Sequence, residues 1–258
     1  MDSIAFDRVS FSYGDGRPVL RDVSLGIKPG EAFALVGRSG SGKTTALRLI
    51  NRLSLPSSGR VSVEGRSTHE WDPILLRRRA GFVLQDIALF PHMTVAENIG
   101  LVARIERWSA DRIASRVAEL LALTGLPDDF ADRWPSEISG GQQQRVGVAR
   151  ALMMDPPILL MDEPFGALDP LTRLSLHREV RRIQSALHKT IVLVTHDLRE
   201  AFSLGDRVGV IDDGQLVFDG PPGELRRSPH PFVHELLATL ELRDSEDGAD
   251  KAKGMIQG

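Results

Sequence analysis

Cysteine is missing from the 258 residues altogether, which excludes disulfides and thiolate metal sites. It leaves the redox compartment open, although it fits a cytosolic setting. Long apolar runs are missing too: no stretch of about 18 apolar residues occurs, so no membrane-spanning helix is expected. The start, Met1-Asp2-Ser3-Ile4, is acidic rather than basic-then-apolar, and no export signal is expected either. An excess of either charge is missing: 32 Lys and Arg stand against 35 Asp and Glu, a formal net charge of −3, so the basic footprint of a nucleic-acid-binding domain is absent. No heptad pattern is sustained, which argues against a long coiled coil. What remains is a chain long enough for one large domain, or one domain with a substantial insertion, around a buried core.

The strongest signal present is Gly37-Arg38-Ser39-Gly40-Ser41-Gly42-Lys43-Thr44, a G-x-x-x-x-G-K-[ST] run between the apolar Ala32–Val36 and the helix-like Thr45–Ile50. Its glycines let the backbone curl until successive N–H groups point at one set of phosphate oxygens. The N-terminus of the following helix adds partial positive charge. Lys43 supplies a full charge to the β- and γ-phosphates. Thr44 places a hydroxyl where a magnesium ion bridging those phosphates takes it as a ligand. The plain alternative is a Gly/Ser turn between strand and helix. With a strand before and a helix after, Gly37 through Thr45 are the candidate contacts to a nucleoside triphosphate.

Upstream, Ile4 and Phe6, then Val23, Leu25 and Ile27, alternate with polar neighbours and predict an antiparallel β layer. Between them sits Tyr13, the only tyrosine; a strand-end aromatic usually packs, but near a phosphate loop an exposed ring suits stacking on adenine. Downstream, Val61 and Val63 predict a short strand. Arg77-Arg78-Arg79 reads as a solvated helix end, and Ala80–Leu84 as an apolar strand stopping at Gln85. Ala88-Leu89-Phe90-Pro91-His92 puts apolar side chains in a loop, where exposure is costly unless a partner covers them. From Thr94 to Leu126 the pattern is helical, with Gly125 as a stop.

Ile138-Ser139-Gly140-Gly141-Gln142-Gln143-Gln144-Arg145 opens a further helix, running through Met153. Ser-Gly-Gly at a helix start offers free N–H groups and a hydroxyl, a second anion-binding nose, the simpler alternative being a serine cap. Two such noses in one chain suggest two molecules sharing nucleotides. Pro157–Met161 reads as a strand of a buried parallel sheet and ends in Asp162-Glu163-Pro164. At the carboxyl edge of a doubly wound sheet, Asp162 can orient a magnesium shell and Glu163 can polarise an attacking water. Thr190–Val194 is another buried strand, and His196 beyond it can reach a γ-phosphate as a hydrogen-bond donor. Val208–Ile211 and Gln215–Phe218, joined by Asp212-Asp213-Gly214, predict a hairpin. From Asp244 on, the chain is acidic and weakly apolar and reads as disordered.

Gly37–Thr44, Gln85, Ser139–Gln142, Ile158–Glu163, Ala167–Asp169 and His196, in this order, resemble the motif set of an ATP-binding-cassette ATPase over roughly residues 2 to 235. The resemblance implies an α/β fold: a RecA-like P-loop NTPase core with an antiparallel β layer (1–86 and 155–235), an inserted α-helical subdomain (87–154) and a largely disordered tail (236–258). It implies an ATP hydrolase that takes ATP and Mg2+ in a head-to-tail dimer. Each ATP would lie between one protomer's phosphate loop and the other's Ser139, Gly140, Gly141 and Gln142. By position, Tyr13 resembles the adenine-stacking aromatic, Gln85 the glutamine that senses magnesium and water, Glu163 the catalytic base and His196 the switch histidine. Lys43 joins the catalytic set, and Thr44, Gln85 and Asp162 are the metal contacts so implied.

Within that family, Leu49–Leu53, Leu89–Val95 and Gly141–Arg150 resemble bacterial importer ATPases for glycine betaine, choline and related quaternary amines. Gln85-Asp86-Ile87-Ala88 departs from that branch, which tends to have a second glutamine and a glycine there. Other importer substrates, amino acids among them, stay open, as does a soluble cassette ATPase acting on nucleic acid or ribosomes. The partners implied are a second copy of the chain, integral membrane permease subunits and, indirectly, a substrate-binding protein, with no nucleic acid. The place implied is the cytoplasmic face of the bacterial inner membrane. A kinase or GTPase would have no use for Ser139–Gln142.

Overall fold

Alternation decides the first strands. In the computed structural model, which describes residues 1–14, 16–166 and 168–240, β1 (Ile4–Phe11) and β2 (Leu20–Ile27) pair antiparallel, with Ile4 opposite Ile27 and Phe6 opposite Leu25. β3 (Ala32–Gly37) is buried at every position and runs into the phosphate loop and α1 (Lys43–Ile50). β4 (Ser58–Val63) and β5 (Arg66–Ser67) complete a four-stranded sheet in the order β2-β1-β4-β5. This is the expected antiparallel layer.

After α2 (Pro73–Arg79) and β6 (Ala80–Val83) come three helices, α3 (Val95–Ile105), α4 (Ala110–Leu123) and α5 (Gly140–Leu152). The chain returns to the sheet with β7 (Ile158–Asp162), α6 (Pro170–Leu187), β8 (Thr190–Thr195) and α7 (Leu198–Leu204). The hairpin β9 (Arg207–Asp212) and β10 (Gln215–Gly220) follows, then a helix over residues 231–240, α8. The second sheet runs β10-β9-β3-β8-β7-β6 and is parallel except at β10.

Period-two geometry explains why β3 is apolar throughout. Ala32, Ala34 and Val36 face a core that continues into α3, α4, α5, α6 and α7, while Phe33 and Leu35 face a second core shared with α1 and the antiparallel sheet. The helices between β6 and β7 therefore have no separate core, because Ile99, Val117, Leu120 and Val146 join the cluster that holds Leu159 and Met161 of β7. No helix among the described residues is long and apolar enough to cross a membrane.

Several expectations change in detail. The helical stretch from Thr94 to Leu126 is two helices, because Arg107 takes a left-handed φ of 59° and Ser109 caps α4 through Arg112 N. A Thr94–Glu97 capping box starts α3, and Gly125, at φ +65°, is the stop. Arg77-Arg78-Arg79 is not simply solvated: Arg78 pairs with Glu106, Arg79 with Glu64, and Arg77 Nη2 donates to the Arg52 carbonyl at 2.9 Å. The carboxylates that neutralise the run lie 15 and 28 residues away in sequence, so periodicity gave no sign of them.

The start of the expected disordered tail, 236–240, is helical and belongs to α8. Phe232, Val233 and Leu237 are buried and Leu236 and Leu240 pack against the core, an amphipathic spacing that gives the segment a hydrophobic reason to fold. The rest of that tail, and Ala167 of the Ala167–Asp169 motif, lie outside the described residues.

Candidate active site

The loop after β3 is shaped by two glycines whose places leave no room for a side chain. A Cβ on Gly37 would lie 2.3 Å from the Ile211 carbonyl oxygen. Gly42 has φ +107°, and a Cβ there would meet Leu20 Cδ2 at 2.6 Å. Gly42 also offers no side chain to cap α1, so the first N–H groups of that helix lack a side-chain acceptor. Inside the loop Ser41 Oγ is buried with no hydrogen-bond partner. An orphan hydroxyl beside an uncapped helix start fits an anion such as a phosphate. Arg38, Ser39 and Gly40 are exposed, so the loop presents an open face rather than a closed pocket.

Lys43 is buried at the start of α1 and its Nζ donates to the Gly37 and Arg38 carbonyls, each at 2.8 Å. Burial lowers its pKa, against the attraction of Glu163 and Asp162. Next to it, Thr44 Oγ1 donates to Asp162 Oδ1 at 2.9 Å. Burial raises the Asp162 pKa; the Thr44 hydrogen bond opposes the rise and Glu163 adds to it. Two carboxylates and one ammonium, all partly desolvated, thus converge at the end of β7. The donor set of Thr44 hydroxyl and Asp162 carboxylate is all oxygen, which suits magnesium.

Glu163 leaves β7 with φ 44°, its N–H bonded to the Val194 carbonyl at 2.9 Å. A left-handed glutamate is uncommon, and here it turns the side chain toward His196, whose Nδ1 lies 3.0 Å from Glu163 Oε2. A carboxylate only accepts, so the proton of that bond sits on Nδ1. Nε2 can then donate to a phosphate only when the ring is protonated. Tyr13 is 54% exposed, edge-on to Phe11 at 4.8 Å between centroids, with its hydroxyl 3.4 Å from both Thr45 Oγ1 and Arg48 Nη1. Its ring stands beside the helix that the phosphate loop opens. Gln85 is exposed, and because Val83 pairs with Met161 it leaves the sheet at the edge where Asp162 and Glu163 leave it.

Ser139, Gly140, Gly141 and Gln142 form the first turn of α5 and take no part in the cluster around Lys43. Ser139 Oγ accepts Gln142 N–H at 3.3 Å, and Gln142 Oε1 accepts Ser139 N–H at 2.8 Å, a complete capping box. The simple-cap alternative is therefore realised within one chain, while the Gly140 face stays exposed.

Sequence reasoning missed two features. Arg38 of the loop pairs with Glu235 and lies over the Phe232 ring at 4.8 Å, so α8 flanks the phosphate loop. A cavity of about 250 Å³ separates the two, lined by Gly37, His196, Asp197, Leu236 and Leu240. The other is Glu200, a buried carboxylate beneath the His196 turn; a lone glutamate in the otherwise apolar buried face Leu198-Ala201-Leu204 was its available signal.

A phosphate loop at the end of a central parallel strand, with a lysine, a threonine and an aspartate from the strand next but one converging on it, defines a P-loop nucleotide-binding protein. The antiparallel layer and the helices between β6 and β7 narrow the class further. Residues 20–166, more than half the chain, match the family described as ABC transporter, and the chain belongs to that family. It is 44% identical over 254 residues to the glycine betaine/carnitine/choline transport ATP-binding protein OpuCA of Bacillus subtilis, a match covering 98% of this chain and 67% of that one. It is 45% identical over 243 residues to the choline transport ATP-binding protein OpuBA of the same organism, covering 94% and 64%. The chain thus spans about two thirds of the length of these relatives. Among solved structures, a dimeric ATP-binding cassette in a post-hydrolysis state with ADP and Pi superposes with a TM-score of 0.76 at 34% identity, over 85% of this chain and 98% of that one.

Proposed function

We propose that this chain binds and hydrolyses ATP as the motor subunit of a membrane importer for a small polar solute of the quaternary-amine type. The observation that carries the reading is the convergence of Lys43, Thr44–Asp162 and Glu163–His196 at one end of the parallel sheet. In this reading the loop N–H groups and Lys43 hold the β- and γ-phosphates, and Tyr13 stacks on the base. Thr44, Asp162 and Gln85 hold magnesium, which supplies charge neutralisation at the phosphate oxygens. Among the described residues no group of three or more His, Cys, Asp or Glu could hold a metal, so the ion would take its other ligands from phosphates and water.

Hydrolysis requires little covalent work from the protein, because phosphoryl transfer rests on positioning and charge stabilisation. Glu163 orients and deprotonates the attacking water, and His196 holds the Glu163 carboxylate through Nδ1. The open face of the loop suits a second copy that brings Ser139, Gly140, Gly141 and Gln142 over the nucleotide. The substrate class rests on the two osmoprotectant-type relatives, and a different importer substrate is the competing reading.

Permease subunits would dock in the apolar groove of about 600 Å³ lined by Leu53, Ile74, Phe90 and Ile105, all four exposed. Arg150 of α5 donates to the carbonyls of Ile87 and Ala88 at 2.6 and 2.9 Å, tying the groove wall to the helix that Ser139 starts. Such a subunit would sit on the cytoplasmic face of the membrane, fed indirectly by a substrate-binding protein. Lys43→Ala tests the whole reading: it should abolish ATP turnover, and a folded variant with wild-type activity would overturn it.

A further inference from the structure

The turn that carries His196 is held from beneath by groups that the hydrolysis scheme does not use. Glu200 on α7 is 3% exposed, and its Oε2 accepts the Thr195 hydroxyl proton. The same Thr195 Oγ1 accepts the Asp197 N–H at 3.0 Å, so one hydroxyl links the residues on either side of His196. Asp197 in turn accepts Arg199 N–H at 2.8 Å at the start of α7 and pairs with Arg173 of α6 at 3.7 Å. Arg173 Nη2 donates to the Leu168 carbonyl at 3.1 Å. A continuous polar chain therefore runs from Glu200, through the His196 turn, to the segment that leads into α6.

Burying a carboxyl costs free energy that an apolar residue on this inner face would not cost, so the group needs a reason to be there. We propose that Glu200 is a positioning residue for His196: its carboxylate fixes the Thr195 hydroxyl and, through it, the Thr195–Asp197 turn that holds the imidazole against Glu163. This rests on reading Glu163 as the base and His196 as its partner. A carboxylate only accepts, so it draws the Thr195 proton to itself and leaves the Thr195 oxygen free to accept from Asp197. A protonated Glu200 brings a proton of its own, which competes for that oxygen and loosens the turn.

Protonation changes in a useful range. Burial raises the Glu200 pKa to about 7, Asp197 adding to the rise and the Thr195 bond, Arg173 and His196 opposing it. Of the elements packed on α7, α6 presents Arg173, with His177 one turn further on, β8 ends in Thr195, and β3 carries no titratable side chain. The charged groups that act on Glu200 are Asp197, Arg173 and His196.

Glu200→Ala, Glu200→Gln and Thr195→Val in the full chain decide the matter. With magnesium-ATP, Glu200→Ala should lower kcat about 10–100-fold, by analogy with the loss seen when a group that orients a metal ligand is removed, with KM for ATP nearly unchanged. Thr195→Val should reproduce that loss, and the double variant should add nothing to it. Glu200→Gln, like the protonated carboxyl, puts a donor beside its one remaining acceptor, so it should hold the reduced low-pH rate at every pH and lose the rise in activity expected of the wild type around pH 7. A merely structural role would alter the folded fraction without producing the kcat-against-KM split or erasing the pH limb. Independently of turnover, the backbone amide resonance of Asp197, which reports its bond to the Thr195 oxygen, should shift with an inflection near pH 7 in the wild type that is missing in Glu200→Gln. An inflection that persists in Glu200→Gln, or a wild-type kcat in Glu200→Ala, overturns the positioning role. A wild type that hydrolyses no ATP overturns the hydrolysis reading instead, and the Asp197 amide shift still decides Glu200.

Discussion

Glu200→Gln is expected to stabilise the fold at neutral and alkaline pH and to leave it unchanged in acid. The carboxyl pKa is raised from its ordinary 4.5 to about 7, chiefly by burial. Between those values the unfolded chain ionises while the folded chain resists, so stability present below 4.5 is lost as pH rises through 7. A displacement of that size corresponds to about 3 kcal/mol, which glutamine recovers by keeping the shape and the acceptor without the charge. For a chain of this length that is a gain of about 6–12 °C in Tm.

His177 works in the opposite sense. Buried edge-on against Phe165, its pKa is lowered from 6.5 to about 4, by burial first and then by Arg173, with Asp197 opposing. Its contribution is present above 6.5 and is lost as pH falls toward 4. In the wild type the two slopes overlap and nearly cancel between the ordinary carboxylate and imidazole values. Glu200→Gln removes one of them, so thermal unfolding of the variant, followed by circular dichroism, should give a Tm that climbs with pH on His177 alone and then levels. A gain over wild type that is equal at about pH 4 and about pH 8, or absent at both, would refute the reasoning.

Glu163→Gln should cut ATP hydrolysis by about 10²–10⁴, the usual worth of a general base, while ATP still binds and a closed dimer accumulates with magnesium-ATP; normal turnover removes Glu163 from the role. Tyr13→Ala should weaken nucleotide binding by about 1–3 kcal/mol, the range for a base stacked on an aromatic ring, as read by isothermal titration; unchanged affinity returns the ring to its packing against Phe11. Phe90→Asp places a charge in the apolar groove beside Ile105 and should release the chain from its membrane subunits without unfolding it, so full transport by that variant counts against docking there.

The site's core was legible because phosphate chemistry is local: loop curvature, helix start, lysine and hydroxyl all lie within Gly37–Thr45. Strands were legible for a similar reason, since burial on one face imposes a period of two on contiguous residues. What stayed hidden depends on pairs far apart in the chain. Arg38 finds Glu235 across 197 residues, and Arg207 of β9 finds Glu31 across 176, contacts that exist only once the sheet has assembled. Glu200 hid differently, because a glutamate in the first turn of a helix reads as an ordinary favourable charge near the dipole, and only its burial beneath Thr195 separates it from that reading. The Arg77-Arg78-Arg79 run erred for the first reason, and 236–240 for want of the surface that its apolar face covers.

The two helix starts that resemble anion sites differ in what each must give up to bind. α1 begins at a glycine without a side-chain cap and beside the unpartnered Ser41 hydroxyl, so a phosphate arriving on its first N–H groups displaces no capping side chain. α5 begins with both arms of its capping box closed between Ser139 and Gln142. If Ser139 turns its hydroxyl to a phosphate, that arm of the box is surrendered, at a cost of about 1 kcal/mol by the usual worth of a serine cap. On the proposed reading this asymmetry orders the events. Nucleotide settles first on Gly37–Thr45, and the Ser139 turn of a second chain joins only once a γ-phosphate offers more than its own Gln142 already does. Loss of that phosphate by hydrolysis returns Ser139 to its cap, so the same bond that delays closing favours reopening.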